Sequence, residues 1–411
     1  MKILILHQYF LEEDGAGGSR FNEFARIWAD MGHSVVVIAG MMPDQNMKKR
    51  NEYRGKGFLW KKQGGVDVLR CHVSESYNKN FIGRLKGYFS FMLFSLYACV
   101  FKLRDKPDLI VVTSPPLFVG ITAVIFSKIK RVPFVFEVRD LWPESAIDTG
   151  LIKNKFLINW LYKLEALIYS QANLIIVLTP AFRINLIEKK NIGPEKVLLI
   201  PNSADFQLSE ELLFSFDYQK FREGKGVSNK FVIIYVGAHG KANGLHQILQ
   251  TAKLLEDTNV EFWLIGKGMY KSKLIQDAEE MGLTNLTFFD PVPKKEVFKF
   301  ILASDMGTSV LLKNEVFKTV YSNKTFDYMA CKKPILMAID GISRELVEKS
   351  NSGVFVEPEN PKEFERLIRY YLKHPEKIRE QGDSGYLFAK SNFDRGVLAL
   401  KYQNELLKIL K

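Results

Sequence analysis

The stretch Ser322-Asn323-Lys324-Thr325-Phe326-Asp327-Tyr328-Met329-Ala330-Cys331-Lys332-Lys333-Pro334-Ile335-Leu336 decides how this chain is read. The run from Lys324 reads as a helix that Pro334 follows, and Pro334 opens an apolar strand. Residues three apart share a helical face. Phe326, Met329 and Ala330 can then pack inward, while Lys324 and Asp327 face a ligand. A helix start attracts anions, and Lys324 adds a point charge there. Asp327 is an acceptor suited to a diol such as a ribose. A solvated i,i+3 ion pair on an ordinary amphipathic helix is the other reading of the same residues.

The stretch lies late in a chain of 411 residues, long enough for two or three domains. Net charge is +12, which points to anionic partners: nucleic acid, phosphorylated ligands or a membrane surface. The cysteines, Cys71, Cys99 and Cys331, are scattered. They suggest neither a metal site nor a disulfide framework, and fit a reducing cytoplasm. The first residues, Met1 to His7, form too short an apolar run for a signal peptide and read as a buried strand.

Upstream of the opening stretch, a strand–glycine loop–helix unit occurs twice. Lys2 to Leu6 leads into Gly15-Ala16-Gly17-Gly18 and then a helix with Phe21, Phe24, Ala25 and Trp28 at helical spacing. Phe231 to Val236 leads into Gly237-Ala238-His239-Gly240-Lys241-Ala242-Asn243-Gly244 and another helix. Glycine permits close backbone approach, and the helix start offers N–H groups to an anion. Either loop alone is weak evidence; one in each half is better evidence for a site between two lobes. Lys241 sits where a phosphate would.

Between the two halves, Val132 to Val138 reads as a strand that ends on Arg139-Asp140-Leu141-Trp142-Pro143-Glu144-Ser145. Ligands of parallel α/β sheets bind beyond the carboxyl ends of strands, so Asp140 and Glu144 are candidates; a capping acid beside a surface ion pair is the alternative. Met41 to Lys62 is basic and reads as loop. Within Phe81 to Lys106, the centre from Tyr88 to Phe101 is apolar nearly all round and flanked by Arg84 and Lys86 on one side and Lys102, Arg104 and Lys106 on the other. It falls short of the about 20 apolar residues of a membrane span. It reads either as a core helix or as a surface that docks on an anionic bilayer. Ser209 to Lys230 is polar and charged, and reads as the connection between domains.

With these pieces in place, the sequence resembles the GT-B glycosyltransferases of family 4 over nearly its whole length. Within them it looks like the WbuB-type enzymes, regarded as aminosugar transferases of bacterial surface polysaccharide assembly. The stretches that carry the likeness are Gly15 to Gly18, Phe136 to Ser145, Pro201 to Asp205, Tyr235 to Leu245, Leu264 to Gly268 and Ser322 to Pro334. The resemblance implies an α/β chain of two Rossmann-like parallel-sheet domains facing each other across a cleft, with a C-terminal helix that crosses back to the first. The boundaries expected are 1–208 with 391–411 for the acceptor-side domain, 209–228 for a linker, and 229–390 for the nucleotide-sugar domain.

By the same resemblance, Asp327 binds the nucleotide ribose and Lys324 the diphosphate. Gly266, Pro291 and Val292 cradle the base, Gly17 and Gly18 face the donor phosphates, and Asp140 lies near a sugar-contacting or catalytic position. The chain departs from the family pattern in three places. Thr319 stands where family 4 usually has a glutamate, eight positions before Asp327. Ser322-Asn323 replaces a common Pro-Ser, and Asn243 replaces a common lysine for which Lys241 could supply the charge.

The reaction this implies is glycosyl transfer from a UDP-sugar to a hydroxyl of a lipid-linked (undecaprenyl diphosphate) saccharide, in O-antigen or capsule synthesis. The sugar suggested is an N-acetylated aminosugar such as N-acetyl-L-fucosamine. Fixed cations and N–H groups would stabilise the leaving diphosphate. No Asp-x-Asp pair is placed to hold an ion, so no metal and no other cofactor is expected. Asp140 and Glu144 would contact the acceptor hydroxyl or the donor sugar. The enzyme would sit in the cytoplasm, peripheral to the inner face of the membrane. Two rivals share some features: a UDP-sugar 2-epimerase of the same fold, and a basic non-enzymatic polyanion-binding protein. The chain lacks zinc-finger spacing and RNA-recognition aromatics, so nucleic acid is not expected as a partner.

Overall fold

The computed structural model describes residues 1–13, 20–42, 49–78, 81–148, 150 and 152–411. Gly17 and Gly18, with the rest of the first glycine loop, lie outside the described residues. The chain forms two units: Met1–Pro201 with Gly396–Lys411, and Asn202–Arg395.

The first unit holds an eight-stranded sheet of order β3-β4-β2-β1-β5-β6-β7-β8. Its strands are β1 (Lys2–His7), β2 (Ser34–Gly40), β3 (Phe58–Gln63), β4 (Val66–Cys71), β5 (Leu109–Ser114), β6 (Phe134–Val138), β7 (Leu174–Val177) and β8 (Val197–Leu199). All neighbours pair in parallel except β3, which runs antiparallel to β4. Parallel strands covered on both faces read as unbroken apolar runs, and every residue of β5 and β6 is buried.

β3 corrects the reading of residues 41–62 as loop. Its Lys61 and Lys62 belong to an edge strand, where charge discourages pairing with another chain. Gly64 and Gly65, with φ of 55° and 78°, make the hairpin that joins it to β4.

The closing helix Arg395–Ile409 packs on the first unit. Leu398, Ala399, Tyr402 and Leu406 join the core of β1, β2 and the helix Arg20–Asp30. Trp28 Nε1 donates to the Ala399 carbonyl at 3.0 Å, and the Tyr402 ring stands edge-on to Trp28.

The helix Phe81–Phe101 divides its faces. Tyr88, Phe91, Ser95, Ala98 and Cys99 are buried. Phe89, Leu93, Tyr97 and Phe101, each four residues from the last, are exposed, Leu93 by 58% and Phe101 by 67%. The buried face accords with the core-helix reading, and the other face leaves four large apolar side chains exposed. No helix among the described residues is long and apolar enough to cross a membrane.

The second unit holds six parallel strands of order β11-β10-β9-β12-β13-β14. They are β9 (Phe231–Val236), β10 (Val260–Ile265), β11 (Leu286–Phe289), β12 (Met306–Val310), β13 (Ile335–Ala338) and β14 (Gly353–Phe355). Strand order reverses between β9 and β12, the place where doubly wound sheets bind nucleotides.

The stretch 209–228 is not an extended connection. It folds into the second unit as the helices Phe206–Ser215 and Tyr218–Gly224, capped by the side chains of Asp205 and Asp217. Leu208, Leu212, Phe216 and Phe221 pack on that unit's core. Their periodicity is masked in the sequence by the interleaved charges. The chain passes between the units at Pro201–Asn202 and again at Arg395–Gly396.

Candidate active site

The geometry of the second unit is set by one buried tyrosine. The helix Asn323–Ala330 carries Tyr328 inward between β9 and β12. The Tyr328 hydroxyl accepts the Val236 N–H at 3.1 Å and lies 3.2 Å from the Ile234 and Thr308 carbonyls. A side chain on Gly307 would strike this ring. The anchor holds the helix start at the carboxyl ends of β9 and β12.

Lys324 extends from that start over the loop that follows β9. A Cβ built on Gly237 would stand 3.1 Å from Lys324 Cε, and Lys324 Nζ lies 4.8 Å from the centre of the Tyr235 ring. Its hydrogen-bond partner is the Ser322 hydroxyl at 3.3 Å, which in turn meets Ser309 Oγ. Among the described residues no carboxylate pairs with Lys324. Burial alone pushes its pKa down to about 8. Thr325 Oγ1, in the same first turn, is buried with no partner.

Asp327 lies on the same helix toward other neighbours. Burial pushes its carboxyl up to about 6, against the pull of Lys294 and Arg395. Both cations are already held by Asp205. Lys294 Nζ donates to Asp205 Oδ2, and Arg395 Nη1 donates to the same oxygen at 2.9 Å. Their charge therefore reaches Asp327 without neutralising it.

The remaining positions in this unit divide. Gly266 belongs to the same place as Lys324: its Cβ would fall 1.8 Å from the Gly237 carbonyl oxygen, so only glycine lets the turns after β9 and β10 touch. Gly237 N–H donates to the Ile265 carbonyl at 3.0 Å. Val292 is half-buried against the core and Pro291 is exposed, both in the turn after β11. Lys271 braces that turn through the Phe289 carbonyl and Asp290, at 2.8 Å and 2.7 Å. Lys241 is exposed in the turn Lys241–Asn243. Thr319 ends the turn Glu315–Thr319, and its hydroxyl donates to the Val316 carbonyl at 2.8 Å.

In the first unit, Asp140 and Glu144 follow β6. Asp140 Oδ2 accepts from the Ser145 hydroxyl at 2.7 Å, and burial raises its pKa, with a smaller push from Glu144. Glu144 Oε1 is 2.6 Å from Lys190 Nζ, which also meets Glu165 Oε2 at 2.5 Å. Two acids thus share one cation, and Glu165 titrates near 7 because burial outweighs Lys190.

Sequence reasoning missed Lys190 and Glu165. No local signal marked them, since Lys190 closes a π-helical turn, Asn185–Lys189, that periodicity does not reveal. In the sequence His239 stands out only as part of its glycine-rich loop. It is buried beside Tyr235 and Phe288 with both ring nitrogens unpartnered, and burial, with Lys271, pushes its pKa down to about 4.

Known proteins share this plan. Residues 15–203 match the family model described as glycosyl transferase 4-like domain, and residues 217–388 match glycosyl transferases group 1. The chain is 23% identical over 393 residues to WcaI of Escherichia coli (strain K12), whose name gives it as a glycosyl transferase of colanic acid biosynthesis. That alignment covers 93% of this chain and 96% of WcaI. WbjE of Pseudomonas aeruginosa, named as a glycosyltransferase, is 27% identical over 244 residues, covering 57% of this chain and 58% of that one. The crystal structure of Anabaena HepE with UDP has the same fold, with a TM-score of 0.73 at 19% identity, over 99% of this chain and 100% of that one. HepE has also been solved with UDP-glucose. With a glycosyl transferase 4-like domain followed by a glycosyl transferases group 1 domain, matches that together span most of its length, the chain belongs to the glycosyltransferases.

Proposed function

We propose that this enzyme moves a sugar from a UDP-sugar to a hydroxyl of a lipid-linked saccharide on undecaprenyl diphosphate, in bacterial O-antigen or capsule synthesis. The WbuB-type likeness favours an N-acetylated aminosugar such as N-acetyl-L-fucosamine as the group transferred. The observation that carries this reading is the unpaired Lys324 ammonium at the carboxyl ends of β9 and β12, one turn from Asp327. The UDP bound to HepE supports it.

In this reading the bond from the anomeric carbon to the β-phosphate oxygen breaks, and the diphosphate takes the electron pair. Lys324 balances the charge that develops, in a place where burial strengthens the attraction. Asp327 accepts the ribose hydroxyls, and the turns at Gly266 and at Pro291 and Val292 hold the base. Lys241 adds to the phosphate site, and Thr319 takes the sugar side. The acceptor oxygen bonds to the anomeric carbon and gives its proton to Asp140, while Glu144, tied to Lys190, holds the loop that carries Asp140. Fixed cations then do the work of a divalent ion.

The exposed stripe of Phe89, Leu93, Tyr97 and Phe101 brings the first unit to an anionic membrane, at the inner face of which a lipid-linked acceptor lies. The test is incubation with a panel of UDP-sugars and a short isoprenoid diphosphate-linked saccharide in EDTA, followed by mass spectrometry. The reading expects a glycosylated lipid and free UDP. An epimerised UDP-sugar formed without acceptor would point to the 2-epimerase instead.

A further inference from the structure

We infer that Arg139 and His7 form an oxyanion subsite at the carboxyl edge of the first sheet, for a phosphate or carboxylate group carried by a substrate. The placement follows from strand register. Val112 pairs with both Leu6 and Phe136, so β5 alone separates the ends of β1 and β6. Two strand spacings are roughly 10 Å. Arg139 comes just past the end of β6 and His7 is the last residue of β1. The two are near enough that the guanidinium acts on the imidazole, which burial already keeps neutral.

His7 has a buried nitrogen with no partner, and Arg139 has no partner from the protein among the described residues. Arg139 is half-buried, and among the described residues no hydrogen bond or ion pair engages it. The nearby acid, Glu137, is taken: Arg20 Nε and Nη2 hold its two oxygens at 3.0 Å and 3.2 Å. That pair is neutral as a unit, so the charge on Arg139 is left over. His7 is 3% exposed, and its Nδ1 is buried with no partner. Its ring lies 5.4 Å from that of Phe21, in the first turn of the helix Arg20–Asp30. That helix start is therefore on the same side of the sheet and adds its N–H groups to the field.

Buried polar atoms without partners are rare in folded proteins. A guanidinium is a planar fork that matches an oxyanion through two hydrogen bonds. A neutral imidazole supplies one further donor. A carboxylate or phosphate oxygen meets the needs of all three.

The oxyanion has two possible sources, the diphosphate of the nucleotide donor or an anionic group on the acceptor. Assigning it to a substrate rests on the glycosyl transfer reading; the subsite itself does not. The experiment measures binding of uridine, UDP, inorganic pyrophosphate and farnesyl diphosphate to the full chain by calorimetry. It compares wild type with Arg139→Gln and Arg139→Lys.

Arg139→Gln is expected to weaken at least one of the three anions by about tenfold or more, with uridine unchanged. Arg139→Lys, which keeps the charge and loses the fork, is expected to fall between. Loss of UDP and pyrophosphate assigns the donor, and loss confined to farnesyl diphosphate assigns the acceptor. If wild type ignores UDP yet binds pyrophosphate through Arg139, the subsite stands and the UDP-sugar reading falls. If all three anions bind both variants as they bind wild type, or uridine weakens as much as the anions in both, or wild type binds none of the three, the inference is overturned.

Discussion

Lys324 and Asp327 lie three residues apart on one helix and do not pair. Lys324 turns to the Ser322 hydroxyl and the Tyr235 ring, while Asp327 lies near the cations that Asp205 holds. Both groups are displaced toward neutrality by burial, the lysine to about 8 and the aspartate to about 6. A solvated ion pair would shift both the other way. On the proposed function, the two groups serve opposite ends of one ligand, Lys324 its anion and Asp327 its hydroxyls.

The first prediction concerns pH. Lys324 is charged below about 8 and neutral above it. Affinity for UDP is expected to be steady near neutral pH and to fall by about tenfold as pH rises well past that point. Lys324→Arg, which stays protonated, should flatten the profile. Calorimetric titrations across the range check it, and an unchanged slope in the arginine variant would count against Lys324.

Stability should respond to Asp327. Its carboxyl rises from 3.8 to about 6 on folding, so the folded state binds more protons between those values. The contribution to stability is therefore complete below 3.8 and is lost as pH climbs through about 6. Asp327→Asn removes the buried charge. It should raise the melting temperature at pH near 7 by roughly 2–4 °C, with the gap closing in acid. Thermal scans at several pH values decide it; a lower melting temperature at neutral pH would contradict the burial argument.

Replacement of Asp140 by asparagine should act on the chemical step. Transfer is expected to fall by roughly a hundredfold or more if the carboxylate receives the acceptor proton, while UDP affinity holds. Single-turnover rates with saturating donor make the measurement. Equal rates in wild type and Asp140→Asn would remove Asp140 from the mechanism.

The aromatic and aliphatic stripe has its own test. Leu93→Ser with Phe101→Ser takes away two of its most exposed side chains. Each buries about 1.5–3 kcal/mol of favourable surface when it enters an apolar phase. Binding to vesicles that contain anionic lipid is expected to drop by more than about tenfold, as read by flotation. Equal recovery of wild type and variant would leave the stripe without a membrane role.

Strands buried on two faces were legible in the sequence because they leave unbroken apolar runs, as in Lys2–His7 and Phe231–Val236, whereas Val66–Cys71, broken by Asp67 and Arg70, was not. The helix with Lys324 and Asp327 was legible from spacing alone. What escaped was set by tertiary packing. The edge strand Phe58–Gln63 hid behind its lysines, and the helices at 206–224 hid behind interleaved charge. The hold of Asp205 on Lys294 and Arg395 joins residues up to 190 apart, and Lys190 meets Glu165 across 25. No local pattern encodes such meetings; each follows from where the strands place their ends.

The account turns on how UDP is held, and titrating UDP in EDTA into wild type and Lys324→Met tests that most directly. We expect wild type to bind without a divalent ion and the methionine variant to bind at least about tenfold more weakly. Equal affinity in the two proteins, or binding by wild type only when a divalent ion is restored, would contradict it.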